Sequence, residues 1–222
     1  MLAACTGQQH KIIIRPDPGQ DRHHEPVDSL ESWQIIETRS GPGETGIPEW
    51  ARHYYGGSIR GLEDMDRYSG RYVFVGENRG ENLNALQQWA NAFTVQHDLP
   101  RLVAARVERK LVSSATLYPD DEYGQYFESL IKQVSNGEYP GAVKEDTFWV
   151  KRRMVPSSAD DGLPQTAGPS ELYVFLVLIS IDDEMLQNQL REIMASIRTT
   201  VSPTRDQAAA ISRVRQSFFV GF

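Results

Sequence analysis

The chain has 222 residues, 40% hydrophobic and 9% aromatic, which suffices for one packed domain with appendages or at most two small ones. Its formal charge of −7 argues against nucleic-acid binding: a phosphate-gripping surface carries a concentrated basic face, and the two densest basic clusters, Arg106/Arg109/Lys110 and Lys151/Arg152/Arg153, are short and lack interleaved aromatics. A single cysteine excludes an internal disulfide framework and a CxxC metal site. No apolar run approaches the ~20 residues of a spanning helix, and the longest is Leu172 to Ile179.

The first informative residues in chain order are Leu2-Ala3-Ala4-Cys5. The run resembles the lipobox of bacterial lipoproteins, in which a signal peptidase cuts before the cysteine and its thiol is then lipidated. That resemblance implies Cys5 as the site of lipid (palmitate-type) attachment and Met1 to Ala4 as the remnant of a signal. A secretory signal needs a charged start and an apolar stretch of about 7–15 residues. The reading therefore expects a start codon further upstream or a trimmed chain. It also expects a basic, apolar stretch encoded in frame before Met1. Thr6 is not the aspartate that enteric bacteria read as an inner-membrane retention signal, which points to the outer membrane. The alternative is a chance match, with Cys5 an ordinary thiol.

Residues 1–46 read as this lipobox and a tether. Asp17-Pro18-Gly19-Gln20-Asp21-Arg22-His23-His24-Glu25-Pro26 cannot bury enough apolar surface to offset its ordering entropy. Two apolar pieces interrupt the tether, Ile12-Ile13-Ile14 and Trp33 with Ile35-Ile36, and these are expected to pair loosely with a sheet edge. By coil statistics a tether of roughly forty residues lets the body range about 35 Å from its anchor.

Residues 47–200 read as an α+β domain, a small antiparallel sheet with helices packed on one face. Arg71 to Val75 is a strand ending at Gly76, and Gly76-Glu77-Asn78-Arg79-Gly80 is a tight turn into a helix. That helix spans Glu81 to His97, with Leu83, Leu86, Trp89, Ala90 and Phe93 as one apolar stripe, and Asp98-Leu99-Pro100 interrupts it. A second helix follows to Leu111 or Val112, and His97 complements the preceding helix end. Tyr123 to Val134 is a third helix, buried through Tyr123, Phe127, Leu130, Ile131 and Val134 and closed by Gly137 in a left-handed cap. Thr147 to Val155 and Leu172 to Ile181 are strands, and the second, lacking alternation, is central. Residues 156–170 between them form a long hairpin loop, a length that points to function or mobility. Asp182-Asp183-Glu184 opens a fourth helix with Met185, Leu186, Leu190, Ile193, Met194 and Ile197 on one side. Residues 201–222 are a last helix and an aromatic tail, Phe218 to Phe222, which packs against the body or meets a partner.

This order of elements resembles the LPP-twenty lipoprotein family, which is related in fold to the N-terminal domain of the flagellar assembly protein T. The residues that carry the resemblance are Pro48-Glu49-Trp50, then Tyr72-Val73-Phe74-Val75-Gly76, an alanine-rich helix with Ala85, Ala90 and Ala92, and a hairpin whose second strand is strongly apolar. Residues 51 to 70 and Pro100 depart from it. The resemblance implies a lipid-anchored α+β domain in the bacterial envelope, with an envelope or flagellar protein as partner.

Candidates for chemistry are sparse. His23-His24-Glu25 has the ligand types of a zinc site but neither the spacing nor a rigid frame. Asp64/Asp66, Asp120/Asp121, Asp160/Asp161 and Asp182/Asp183 are carboxylate pairs of the kind glycosidases use, and helix capping and solvation explain them as well. Gly76 to Gly80 lacks the Lys-Ser/Thr of a P-loop, and no Gly-x-Ser-x-Gly elbow occurs. The sequence thus favours a non-enzymatic binding or assembly module, an outer-membrane lipoprotein facing periplasm or surface. It holds no cofactor and uses Cys5 as anchor and the 156–170 loop for contact. The alternative is a periplasmic or cytosolic enzyme with a metal or carboxylate site.

Overall fold

The computed structural model describes residues 31–39, 46–57, 59–115, 122–156, 171–197, 205–220 and 222. The protein is α+β. Four strands, β1 (Glu31–Arg39), β2 (Arg71–Gly80), β3 (Val143–Pro156) and β4 (Glu171–Asp182), form one antiparallel sheet in the order β1-β3-β4-β2. The helices are α1 (Glu49–Tyr55), α2 (Ile59–Glu63), α3 (Leu83–Ala92), α4 (Val95–Ala115), α5 (Glu122–Ser135), α6 (Asp183–Ser196) and α7 (Arg205–Ser217), with a 3₁₀ turn at Asp66–Tyr68.

The position of β4 follows from its composition. Every residue from Val174 to Ile181 is buried. Successive side chains of a strand point to opposite faces, so an unbroken buried run needs neighbours and cover on both sides. β1 takes the edge beside β3. Its register slips by one between Ile35 and Glu37, leaving Ile36 in a bulge. The pairing expected of Trp33 and Ile35-Ile36 is thus a strand of nine residues inside the stretch that reads as tether.

β2 departs from expectation. It does not end at Gly76 but runs on through Glu77, Asn78 and Arg79 to Gly80. Residues Tyr72 to Asn78 are all buried, and tertiary contacts override the low strand propensity of Gly, Glu and Asn.

The first helical break also moves. It falls at Phe93-Thr94 rather than at Asp98-Leu99-Pro100, and Pro100 lies in the second turn of α4. Asp98 explains the new start: its carboxylate accepts the Thr94 N–H at 2.8 Å while its own N–H donates to the Thr94 carbonyl at 2.9 Å. This reciprocal closure resembles a capping box. Pro100 costs one internal hydrogen bond near the helix start. Leu99, Leu102, Val103, Val107 and Leu111 are all buried and hold α4 in place, each such side chain contributing on the order of 1.5–3 kcal/mol.

The chain divides into two compact units, Met1–Leu62 with Val75–Ala92 and Asp146–Leu178, and Glu63–Phe74 with Phe93–Glu145 and Ile179–Phe222. In the first, Trp50 of α1 meets Phe148 of β3 edge-on at 6.3 Å, and its indole N–H donates to Asp146 at 2.8 Å. Trp89 of α3 meets Phe175 of β4 at 6.4 Å. In the second, α5 packs on α4, α6 and α7.

In α5, Leu130 and Val134 are buried as expected, Tyr126 joins them, and Phe127 and Ile131 are only half-buried. Gly137 follows this helix without a left-handed φ. Its lack of a side chain serves another purpose: a Cβ there would lie 3.1 Å from the Tyr139 hydroxyl, which donates to the Val134 carbonyl at 2.9 Å. At α6, Asp182 caps the helix by accepting the Met185 N–H at 3.1 Å. Leu186, Leu190, Ile193, Met194 and Ile197 are buried as expected, whereas Met185 is exposed.

Candidate functional site

Cys5, His23-His24-Glu25, Asp120/Asp121, Asp160/Asp161 and the 157–170 part of the predicted hairpin loop lie outside the described residues. The remaining sequence candidates fall apart as sites. Asp64 and Asp66 are exposed, and Asp182 is a helix cap. Gly76 to Gly80 is strand, so it offers neither the turn nor the helix N-terminus a phosphate cradle requires. His97 sits in the first turn of α4, with Nδ1 3.4 Å from Asp98 Oδ1, so it cannot complement a helix C-terminus. Among the described residues no group of three His, Cys, Asp or Glu side chains could hold a metal ion.

The structure does gather polar side chains that the sequence did not single out. Tyr54 and Tyr55 end α1. Tyr54 donates its hydroxyl to Glu77 of β2 at 2.8 Å, and the Arg79 guanidinium closes on the other carboxylate oxygen. Glu77 is 1% exposed. The Tyr55 ring packs edge-on against Tyr54 at 5.8 Å and carries the guanidinium of Arg152 from β3, whose Cζ lies 4.1 Å from the ring centroid. Arg152 and Asn78 are both buried, and each keeps one nitrogen, Nε and Nδ2, without a hydrogen-bond partner. The sequence signals were present but weak. Arg152 is the middle of a basic triplet, and Glu77 lies between two glycines.

On the same unit Glu171 binds both Lys151, at 2.7 Å, and Arg153, at 2.6 Å. These hydrogen bonds hold the Glu171 carboxyl below its ordinary value of 4.5 and raise the Lys151 ammonium above 10.5. A carboxyl whose folded value is depressed stabilises the fold above its unfolded value, and that contribution is lost as pH falls through the folded one. The Lys151 contribution is complete below 10.5 and is lost as pH rises through its folded value. The melting-temperature difference between native protein and Glu171→Gln is therefore expected to be flat across neutral pH, to shrink below pH 4.5 and to shrink again above 10.5. The pair is near the surface, so the difference is small and falls with added salt.

In the second unit the clusters bind elements together. Glu145 accepts from the buried Ser180 hydroxyl and from Arg67 at 3.1 Å. Arg215 donates to the Tyr126 hydroxyl at 3.0 Å and to the Met194 carbonyl at 2.7 Å. The aromatic tail packs on its own unit. Phe218 is 1% exposed, Phe222 meets Tyr72 at 5.4 Å, and Lys110 holds the Val220 carbonyl at 2.6 Å.

Among the described residues no helix is long and apolar enough to cross a membrane. No family model, no curated protein and no solved structure matches this chain.

Proposed function

We propose that the protein is a lipid-anchored lipoprotein of the bacterial envelope, held at the outer membrane through Cys5 and acting as a non-enzymatic binding or assembly module for an envelope or flagellar protein. The observation that carries this reading is Leu2-Ala3-Ala4-Cys5, a small-residue run closed by the chain's one cysteine and followed by a polar stretch. The order of elements supports it. Pro48-Glu49-Trp50 opens α1, Tyr72 to Gly76 lies in β2, the alanines 85, 90 and 92 lie in α3, and the apolar second strand of the hairpin is β4. This is the sequence of parts on which the likeness to LPP-twenty lipoproteins rests. The use of acids in the body supports a structural rather than a chemical role for them. Glu63, Glu77 and Glu145 are each tied to an arginine.

Each buried methylene of an acyl chain contributes about 0.8 kcal/mol to membrane binding, so several chains at the anchor hold a domain durably. Cells producing the native protein and a Cys5→Ser variant, labelled with a fatty-acid probe and fractionated, test this. The native protein is expected to carry the label and sediment with membranes. Cys5→Ser is expected to lose both properties. A native polypeptide whose Cys5 thiol is bare by mass spectrometry defeats the proposal.

A further inference from the structure

β1 stands at one end of the sheet order, with β3 on one side and, among the described residues, no strand on the other. A strand edge is a row of N–H and C=O groups ready to pair with another chain, and proteins blunt such edges with short length, proline, lysine or a bulge. Of these β1 has only the bulge, at Ile36. It runs for nine residues and contains neither proline nor lysine. Ile35 and Ile36 are 41% and 40% exposed. The charged positions of the strand differ in what faces them. Glu37 stands opposite Lys151 of β3, an opposite charge within the sheet. Glu31 and Arg39, at the two ends, stand opposite Pro156 and Trp149, which carry no charge. Ile35 lies midway between them, so the strand read backwards is the charge complement of itself.

We infer that β1 pairs antiparallel with the β1 of a second copy of this chain. In the register that sets Ile35 opposite its own counterpart, Glu31 of each copy lies opposite Arg39 of the other. A two-fold axis through that point makes every pairing occur twice and closes the assembly at two copies. Opposite charges directly across an antiparallel pair stabilise it, and like charges destabilise it. One strand against one strand is a small interface, so association in the micromolar range is expected. The contact is independent of the anchor at Cys5, and it gives the module proposed above a second copy of itself.

Sedimentation velocity of the purified full chain over a range of concentrations tests the inference, under reducing conditions that remove any crosslink through Cys5. The native chain is expected to show a reversible monomer–dimer equilibrium. Glu31→Arg puts a base at both ends of the strand and Arg39→Glu an acid at both ends. Each alone is expected to weaken the dimer at least about tenfold, because both end pairs turn from attraction to repulsion. An equimolar mixture of the two variants restores opposite charges at both ends and is expected to associate within about threefold of the native chain. The two positions are about 26 Å apart along an extended strand, too far for the charges of one copy to compensate each other. The double variant Glu31→Arg/Arg39→Glu is expected to recover as well, and it decides the matter if a single variant does not fold. A native chain that stays monomeric at every concentration, as when another segment of the same chain covers the edge, overturns the inference. So do assemblies larger than two, unchanged association in a folded single variant, or no recovery in the mixture of folded variants or in the double variant.

Discussion

Arg106→Ala is expected to destabilise the fold by about 3–5 kcal/mol, the usual cost of breaking a largely buried ion pair from one side. Urea unfolding reads it directly, and melting should fall by roughly 10 °C for a chain of this size. Arg106 and Glu63 are 15% and 16% exposed in their side chains and meet through two hydrogen bonds of 2.6 and 3.2 Å. The same guanidinium donates to the Phe222 main-chain oxygen at 2.7 Å. It also lies over Tyr72 at 4.7 Å, Phe222 at 5.1 Å and Phe74 at 5.6 Å. One side chain of α4 therefore ties the residue that ends α2, two residues of β2 and the chain's last residue. Alanine would leave the Glu63 carboxylate buried with only the Val73 N–H, at 3.1 Å, for compensation. Arg106→Lys is expected to recover less than half of the loss, because an ammonium can neither fork onto two oxygens nor stack flat on a ring. A loss below about 1 kcal/mol would mean that the pair behaves as a solvent-exposed one.

Such a clasp was not legible in the sequence. Arg106 and Glu63 are 43 positions apart, and Arg106 and Phe222 are 116 apart. Neither pair leaves a local pattern. What was legible rests on local physics. β4 announces itself because eight consecutive buried residues leave no polar face to misread. α6 announces itself because Asp182 caps it and its stripe keeps helical spacing. The errors share a cause. Pro100 and Gly76-Glu77-Asn78-Arg79-Gly80 are local breakers that the surrounding structure overrules, the first through the buried leucines and valines of α4, the second through Tyr54. In α5 Leu130 and Val134 keep the expected line, but the adjacent rings Tyr126 and Phe127 look alike in the sequence, and it is Tyr126 that is 2% exposed and takes a hydrogen bond from Arg215. The polar cluster around Arg152 was hidden for the same reason as the clasp. It needs α1 laid against β3, and nothing near residue 152 encodes that.

Glu77 offers the sharper test of tertiary override. Glu77→Ala is expected to destabilise by about 3 kcal/mol, because it strips the Tyr54 hydroxyl and the Arg79 guanidinium of a partner that is 1% exposed. Arg79 is 32% exposed in its side chain and recovers part of its hydration, which keeps the figure at the lower end for buried pairs. Tyr54→Phe removes one bond to a charged acceptor and is expected to lose about 1.5–3 kcal/mol. The two changes share one interaction, so the double variant should lose less than their sum by about 1 kcal/mol or more. Full additivity would show that Glu77 is held by something other than Tyr54, and the account of why β2 continues past Gly76 would fail. A second readout separates strand from phosphate cradle. Inorganic phosphate added to the native chain is expected to leave melting unchanged apart from its general salt effect, equal to that of sulfate. In a strand the N–H groups of Gly76 to Gly80 point alternately to the two edges. They cannot converge on one anion as the free N–H groups of a helix start do.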